Sequence, residues 1–369
     1  MSDLDELGPS LQSLHISEHK INRIVGNVFA CGNSYVVERL PDVHDDFFTV
    51  LEGDGVPLVA KDASLDRFAR LVDQGYPVLF RRPPTWGLDF FISMVAARLD
   101  LKYKELDPFA PFRAATPPSK WSRHNLHRYH ILHLDLGSMN NPTNLIPDLE
   151  AYFHQQCMAL IAQYQLNMHF PPPKCVRCGI PYMTITCFAM YLRDHRIMAP
   201  LLVIISNFDA PIWSLGNCGP ILDSLFNGLE SATEREVIGG LLLFSDFNDG
   251  TLFPCLKRRP DEPFPDSPKR HLVNLKCTLD VTYHPAFQTA VGFSRQDIAD
   301  LDEAFKSKGK LRLQTLLQAV DAKTLPANFN GPWDTNNSSL LELAMESDTM
   351  DVAMYPTRLV FNLVANYIL

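Results

Sequence analysis

The stretch PVLFRRPPTWGLDFFISMVAARL, Pro77 to Leu99, constrains the fold more than any other part of the chain. An apolar run of strand length leads into a loop with two arginines and two prolines, and then into Gly87. After the glycine, Leu88, Phe91, Ile92, Val95 and Leu99 recur at helical spacing, the stripe of a helix packed on a sheet. Pro77 is tolerated at the first position of such a strand. Strand, tight loop, glycine and helix also make the frame of a phosphate-binding loop. There the glycine admits a phosphate close to the backbone, a lysine reaches the β and γ oxygens, and a hydroxyl helps to hold Mg²⁺. Here the two positions after Gly87 are Leu88 and Asp89. Leu88 brings no charge. Asp89 suits the positive end of a helix by roughly 0.3–1 kcal/mol but repels a polyphosphate. On this segment alone, an ordinary strand-to-helix connection is the simpler reading.

The rest of the chain continues the alternation. SLDRFARLVDQG reads as a helix capped by Ser64 and stopped by Gly75, and YPVLFR as the buried strand that follows. YHILHLDL, Tyr129 to Leu136, is a second strand, and DLEAYFHQQCMALIAQYQL a long helix. PLLVIISNFD, Pro200 to Asp209, is uniformly apolar before it turns polar, as a central parallel strand does where it ends at a site. REVIGGLLLFSDF, Arg235 to Phe247, reads as another. The proline- and charge-rich segment Lys257 to His271 predicts a solvated excursion. Ser294 and Asp297 are spaced as a capping box at the start of a further helix. The expected division is an N-terminal extension over 1–44, an α/β domain over 45–300, and a helical C-terminal part over 301–369.

Composition narrows the function. With 369 residues, 46% of them hydrophobic, the chain can bury a large core, and a formal net charge of -9 gives no overall attraction to nucleic acid or an anionic membrane. No apolar run is long enough to span a bilayer, and the acidic start MSDLDELGPSLQSL is unlike a secretory signal. An intracellular protein, cytoplasmic or nuclear, is the expectation, with the 8 cysteines as mostly buried thiols.

A phosphate-loop enzyme also needs an acidic residue at the end of a distant apolar strand to hold the metal, and often a neighbouring glutamate to orient water. In LLVIISNFDAPIW those positions are Ser206 and Asn207, with an aspartate only at Asp209. Taken together, the motifs resemble the AAA-ATPase-like family of the P-loop NTPase superfamily, abundant in fungi and bacteria. LVAKD, with Lys61, is similar to that family's YVDKT; RPPTWGLDF, with Arg82, Pro83 and Gly87, to RPRRFGKSL; and SNFDAPI, with Asp209, Pro211 and Ile212, to DEYDKPI. GGL around Gly240, GFS at Gly292 to Ser294, FNGPWD, and Tyr355 with Pro356 follow in the family's order. The resemblance implies a three-layer P-loop NTPase-like core with a mainly parallel sheet. It implies ATP and Mg²⁺ as ligands, and a nucleotide site at Arg82, Gly87, Leu88, Asp89, Ser206, Asn207 and Asp209. Some relatives carry a nuclease-like region, for which the chain as given leaves no room.

This copy lacks the lysine, the hydroxyl and both strand-end acids, so no catalytic residue and no cofactor is expected. The expected function is that of a catalytically degenerate pseudo-ATPase acting as a binding or regulatory module with a protein partner, an active paralogue among the options. The alternative is a nucleotide-binding protein that retains weak ATP binding or hydrolysis at the degenerate loop, through backbone amides, Arg82 and Lys61.

Three further groups read as structural. Cys175 and Cys178, near His169, Cys157 and Cys187, are one close pair where a zinc site needs two. His124, His127, His130 and His133 recur every third residue but run into a strand, which turns His130 and His133 to opposite sides. The basic residues Lys257 to Arg259, with Lys269 and Arg270, read as part of a solvated loop.

Overall fold

The computed structural model describes residues 21–26, 28–32, 41, 45–82, 86–105, 107–110, 112, 126–139, 145–171, 182–210, 219–246, 275–282, 287, 289–305, 323–324, 353–355 and 360. Its first elements are β1 (Ile21–Val25) and β2 (Val28–Cys31), an antiparallel hairpin turning at Gly26. Gly26 has φ 51°, and a Cβ there would meet the Asp300 carboxylate at 1.9 Å, so both conformation and space require glycine. Helix α1 (Phe47–Glu52) begins where Asp46 Oδ1 accepts from the Thr49 amide at 2.8 Å. Strand β3 (Pro57–Val59) then pairs with β2, completing a three-stranded sheet. Ile21–Val25 and Val28–Cys31, placed by the sequence within the extension, thus belong to a sheet, and Val28 to Cys31 are buried in the core.

Helix α2 (Asp62–Asp73) starts two residues before the expected cap. Ser64 is buried inside it, and Lys61 holds the cap position with its ammonium drawn to Asp297. The helix ends at Asp73, before Gly75, as the sequence predicts. Next come β4 (Val78–Arg82), α3 (Leu88–Leu99), β5 (His130–Asp135), α4 (Leu145–Gln163), α5 (Tyr182–Asp194), β6 (Leu201–Ser206), α6 (Gly219–Glu234), β7 (Gly240–Asp246) and β8 (Leu279–Asp280). The five strands form one all-parallel sheet in the order β5-β6-β7-β4-β8, so the fold class is α/β.

Both faces of this sheet are covered, which is why its strands read as unbroken apolar runs. Phe80, Ile131, Leu202, Ile204, Leu242 and Phe244 pack against α2 and α3. Leu79, Leu132, Val203, Ile205, Leu241 and Leu243 pack against α4, α5 and α6. On the first face Phe68 makes edge contacts with Phe80, Phe91 and Phe287, at centroid distances of 5.3, 5.4 and 4.8 Å. Each such ring contributes about 1.5–3 kcal/mol by burial.

The two outer strands are held from outside the sheet. At β5, the Ile131 amide donates to Tyr164 Oη at 2.8 Å and the Asp135 amide to Tyr152 Oη at 2.9 Å, so Tyr152 of α4 and Tyr164 just beyond its end occupy donors that another strand would use. At β8, the buried Glu230 carboxylate of α6 accepts from the Lys276, Cys277 and Thr278 amides and from the Thr278 hydroxyl.

Beyond the sheet, β9 (Phe293–Ser294) leads into α7 (Arg295–Ala304), with the expected capping box: Ser294 Oγ accepts from the Asp297 amide, and Asp297 from the Ser294 amide. Strands β10 (Lys323–Thr324) and β11 (Ala353–Tyr355) follow, in the order β10-β11-β9. Beyond 301, where a helical part is expected, the described residues are the end of α7, the two short strands and Val360, which is helical; the rest lies outside the described residues. Met354 and Tyr355 pair with Ser294 and Phe293. The segment 257–271 lies outside the described residues. No helix among the described residues is long and apolar enough to cross a membrane.

Candidate functional site

In an open parallel sheet, ligands bind beyond the carboxyl ends of the strands, where successive connections leave on opposite faces. Here α3 leaves β4 over one face, and the helices that connect β5, β6 and β7 lie on the other. The crevice so placed is bounded by the ends of β4, β5, β6 and β7 and by the start of α3. Gly87 caps that helix with φ 84° and ψ 35°, a left-handed conformation that a side chain disfavours.

The residues named from sequence divide sharply. Leu88, at the position of the phosphate-loop lysine, is buried in the apolar core. Asp89, in the first turn of α3, is exposed toward the crevice. Arg82 is fully buried and turned away: Nη1 donates to the carbonyls of Arg81 and Thr282, at 2.8 and 2.5 Å, and Nη2 to that of Phe287 at 2.7 Å. Its guanidinium stacks 4.1 Å from the Phe80 ring centre. Arg81 pairs with Asp280 at 3.2 Å. Lys61 donates to the Gly292 carbonyl at 2.9 Å and pairs with Asp297 at 3.1 Å. The cations nearest in sequence to a phosphate site thus have structural partners.

At the end of β6, Ser206 Oγ lies 3.0 Å from His133 Nε2. Asn207, with φ 50°, donates from Nδ2 to Asp135 Oδ1 at 2.9 Å. Asp209 is buried and accepts from the Ser245 hydroxyl. Burial, with the charges of Asp89 and Asp209 added, pushes the Asp246 carboxyl at the end of β7 up to about 6. His133 opens to solvent at the floor of the crevice; the surrounding protein lowers its pKa, while Asp135 and Asp89 act in the opposite sense. Asp89, Asp135, Asp209 and Asp246 therefore make the crevice acidic.

Sequence reasoning missed Asp135, Ser245 and Asp246, and set His133 aside. The signal that could have found them is the apolar-to-polar change at HLDL and LFSDF, the same change that marked SNFD. The register explains the convergence: Asp135 pairs with Ser206 and Arg82 with Asp246, so the polar ends come level across the sheet. The other histidines stay apart from the site. His130 is buried against Tyr164 on the opposite side of β5 from His133. His127 is buried rather than solvated, its Nδ1 at 3.0 Å from the Asp100 carbonyl and its Nε2 at 3.2 Å from Asp107. Cys157 is buried on α4 and Cys187 partly buried on α5, while Cys175, Cys178 and His124 lie outside the described residues. Among the described residues no group of three His, Cys, Asp or Glu is arranged to hold a metal ion.

Beside Gly87, on the side of the small sheet, is a second feature. A cavity of about 70 Å³ is lined mainly by Leu58, Trp86, Phe90, Phe91, Met94 and Phe293, with Lys61 at its wall.

Compared with known proteins, the chain matches no family model and no curated sequence. The likeness to the AAA-ATPase-like family accordingly rests on the motifs alone.

Proposed function

We propose that the chain is a binding or regulatory module on a phosphate-loop-type α/β core, without phosphoryl-transfer chemistry. The observation that carries this reading is the inverted electrostatics of the crevice. Asp89, Asp209 and Asp246 gather at the strand ends close enough for their charges to act on one another, while Arg82 and Lys61 are engaged by carbonyls and Asp297. Phosphoryl transfer depends on positioning and on neutralising charge over the phosphate oxygens, so such a site lacks the largest catalytic contribution. The residues present do not fit a magnesium nucleotide, and the module is read as acting through a protein partner.

A second reading, a weak nucleotide binder, is favoured by the cavity next to Gly87, which has the apolar lining that an uncharged ring would need. The test is turnover of ATP by the full chain with Mg²⁺, beside a variant carrying Leu88→Lys, Asp89→Ser, Ser206→Asp and Asn207→Glu. No release of phosphate by the wild type supports the module; turnover by the wild type overturns it.

A further inference from the structure

The crevice that lacks phosphate chemistry holds a different chemical pair. We propose that Ser206 and His133 form a nucleophile–base pair that hydrolyses neutral or cationic carboxylic esters. Three observations support it. Ser206 Oγ and His133 Nε2 are 3.0 Å apart, within reach for proton transfer. Ser206 is the last residue of β6 and His133 lies two residues before the end of the adjacent parallel strand β5, Ser206 with 4% of its surface exposed and His133 open to solvent, so a carbonyl can approach from the histidine side. The charges of Asp135 and Asp89 act on the imidazole and would stabilise the imidazolium formed when it takes a proton.

The chain also turns sharply after the nucleophile. Asn207 has φ 50° and is fixed by its bond to Asp135, so the backbone leaves the strand direction directly beyond Ser206. The positive end of α3, a helix of 12 residues, borders the same crevice.

In the acylation step, Ser206 Oγ attacks the carbonyl carbon as its proton passes to His133 Nε2. The carbon–alkoxy bond then breaks, and the leaving oxygen takes that proton, giving the alcohol and an acyl-Ser206. Water attacks the acyl-enzyme, its proton passing to His133 and on to the Ser206 oxygen, which frees the carboxylic acid and restores both side chains. The acidic surroundings set the substrate class, because Asp89, Asp135, Asp209 and Asp246 repel anionic esters as they repel phosphates.

The test treats the full chain with a fluorophosphonate probe and locates the adduct by peptide mass spectrometry. Hydrolysis of p-nitrophenyl acetate, a quaternary-ammonium acyl ester and an anionic succinyl ester is then followed. The proposal predicts an adduct on Ser206 that is absent in Ser206→Ala, and labelling slowed by a factor on the order of 10² or more in His133→Asn. It also predicts hydrolysis of the first two esters at least about tenfold faster than the third. The wild-type adduct site needs no variant, so a variant that fails to fold leaves the result readable. Absence of an adduct on Ser206 in the folded wild type overturns the proposal, as does ester hydrolysis by Ser206→Ala at the wild-type rate. Neither result bears on nucleotide binding, which is measured separately.

Discussion

Replacing Glu230 with alanine tests how the fifth strand is held. Strand β8 has two residues, too few to secure itself beside β4, and its approach is fixed by the Glu230 carboxylate. That group is 2% exposed and accepts from the amides of Lys276, Cys277 and Thr278, at 3.1, 3.0 and 2.8 Å, and from the Thr278 hydroxyl at 2.5 Å. Hydrogen bonds to a charged group contribute about 1.5–3 kcal/mol each, but bonds to one carboxylate are not additive. Cys277 is exposed, so part of the freed backbone regains water. The net cost of Glu230→Ala is therefore put at roughly 3–5 kcal/mol, a large share of an ordinary stability of about 5–15 kcal/mol. The effect should reach the crevice wall, because the Thr282 carbonyl just beyond β8 accepts from buried Arg82. Denaturant midpoints would give the total, and amide exchange over 276–282 would locate it. A loss below about 0.5 kcal/mol, the size of an ordinary surface substitution, or unchanged exchange over that segment, would refute the reasoning.

Three further outcomes follow from the geometry. Tyr164→Phe removes the hydroxyl that donates to Asp100 and accepts from the Ile131 amide; it should cost about 2–4 kcal/mol in thermal or chemical denaturation and raise the tendency of the β5 edge to aggregate. The Asp246 carboxyl is raised from 3.8 to about 6, so the folded chain keeps a proton that the unfolded chain has released. Stability should fall as pH rises between those values, and Asp246→Asn should flatten that slope in a pH series of unfolding curves. Gly26→Ala forces a Cβ onto the Asp300 carboxylate in a left-handed turn, and should loosen the hairpin by about 1–3 kcal/mol, seen as faster exchange at Val28 to Cys31.

The central strands were legible in the sequence because burial on both faces leaves runs such as LLVIIS nowhere to go but inside the sheet. The capping box at Ser294 was legible because it is local, written in two residues three apart. Strand β8 was not, since what makes it a strand is Glu230, 46 residues before Lys276. The hairpin over 21–31 was equally hidden: its evidence is pairing with β3 and the closeness of Asp300. At the site, Ser206, Asn207 and Asp209 stood out as the polar end of an apolar run. Their companions Asp135 and Asp246 gain meaning only through strand register, and the structural partners of Arg82 were hidden because two of its three carbonyls lie some two hundred residues away.

Calorimetric titration of the full chain with ATP and with ADP, each with and without Mg²⁺, tests the central claim most directly. The acidic crevice and the engaged cations predict no heat and no thermal stabilisation at millimolar nucleotide. Micromolar, Mg²⁺-dependent binding would contradict that account and show that the frame around Gly87 still holds a nucleotide without its lysine.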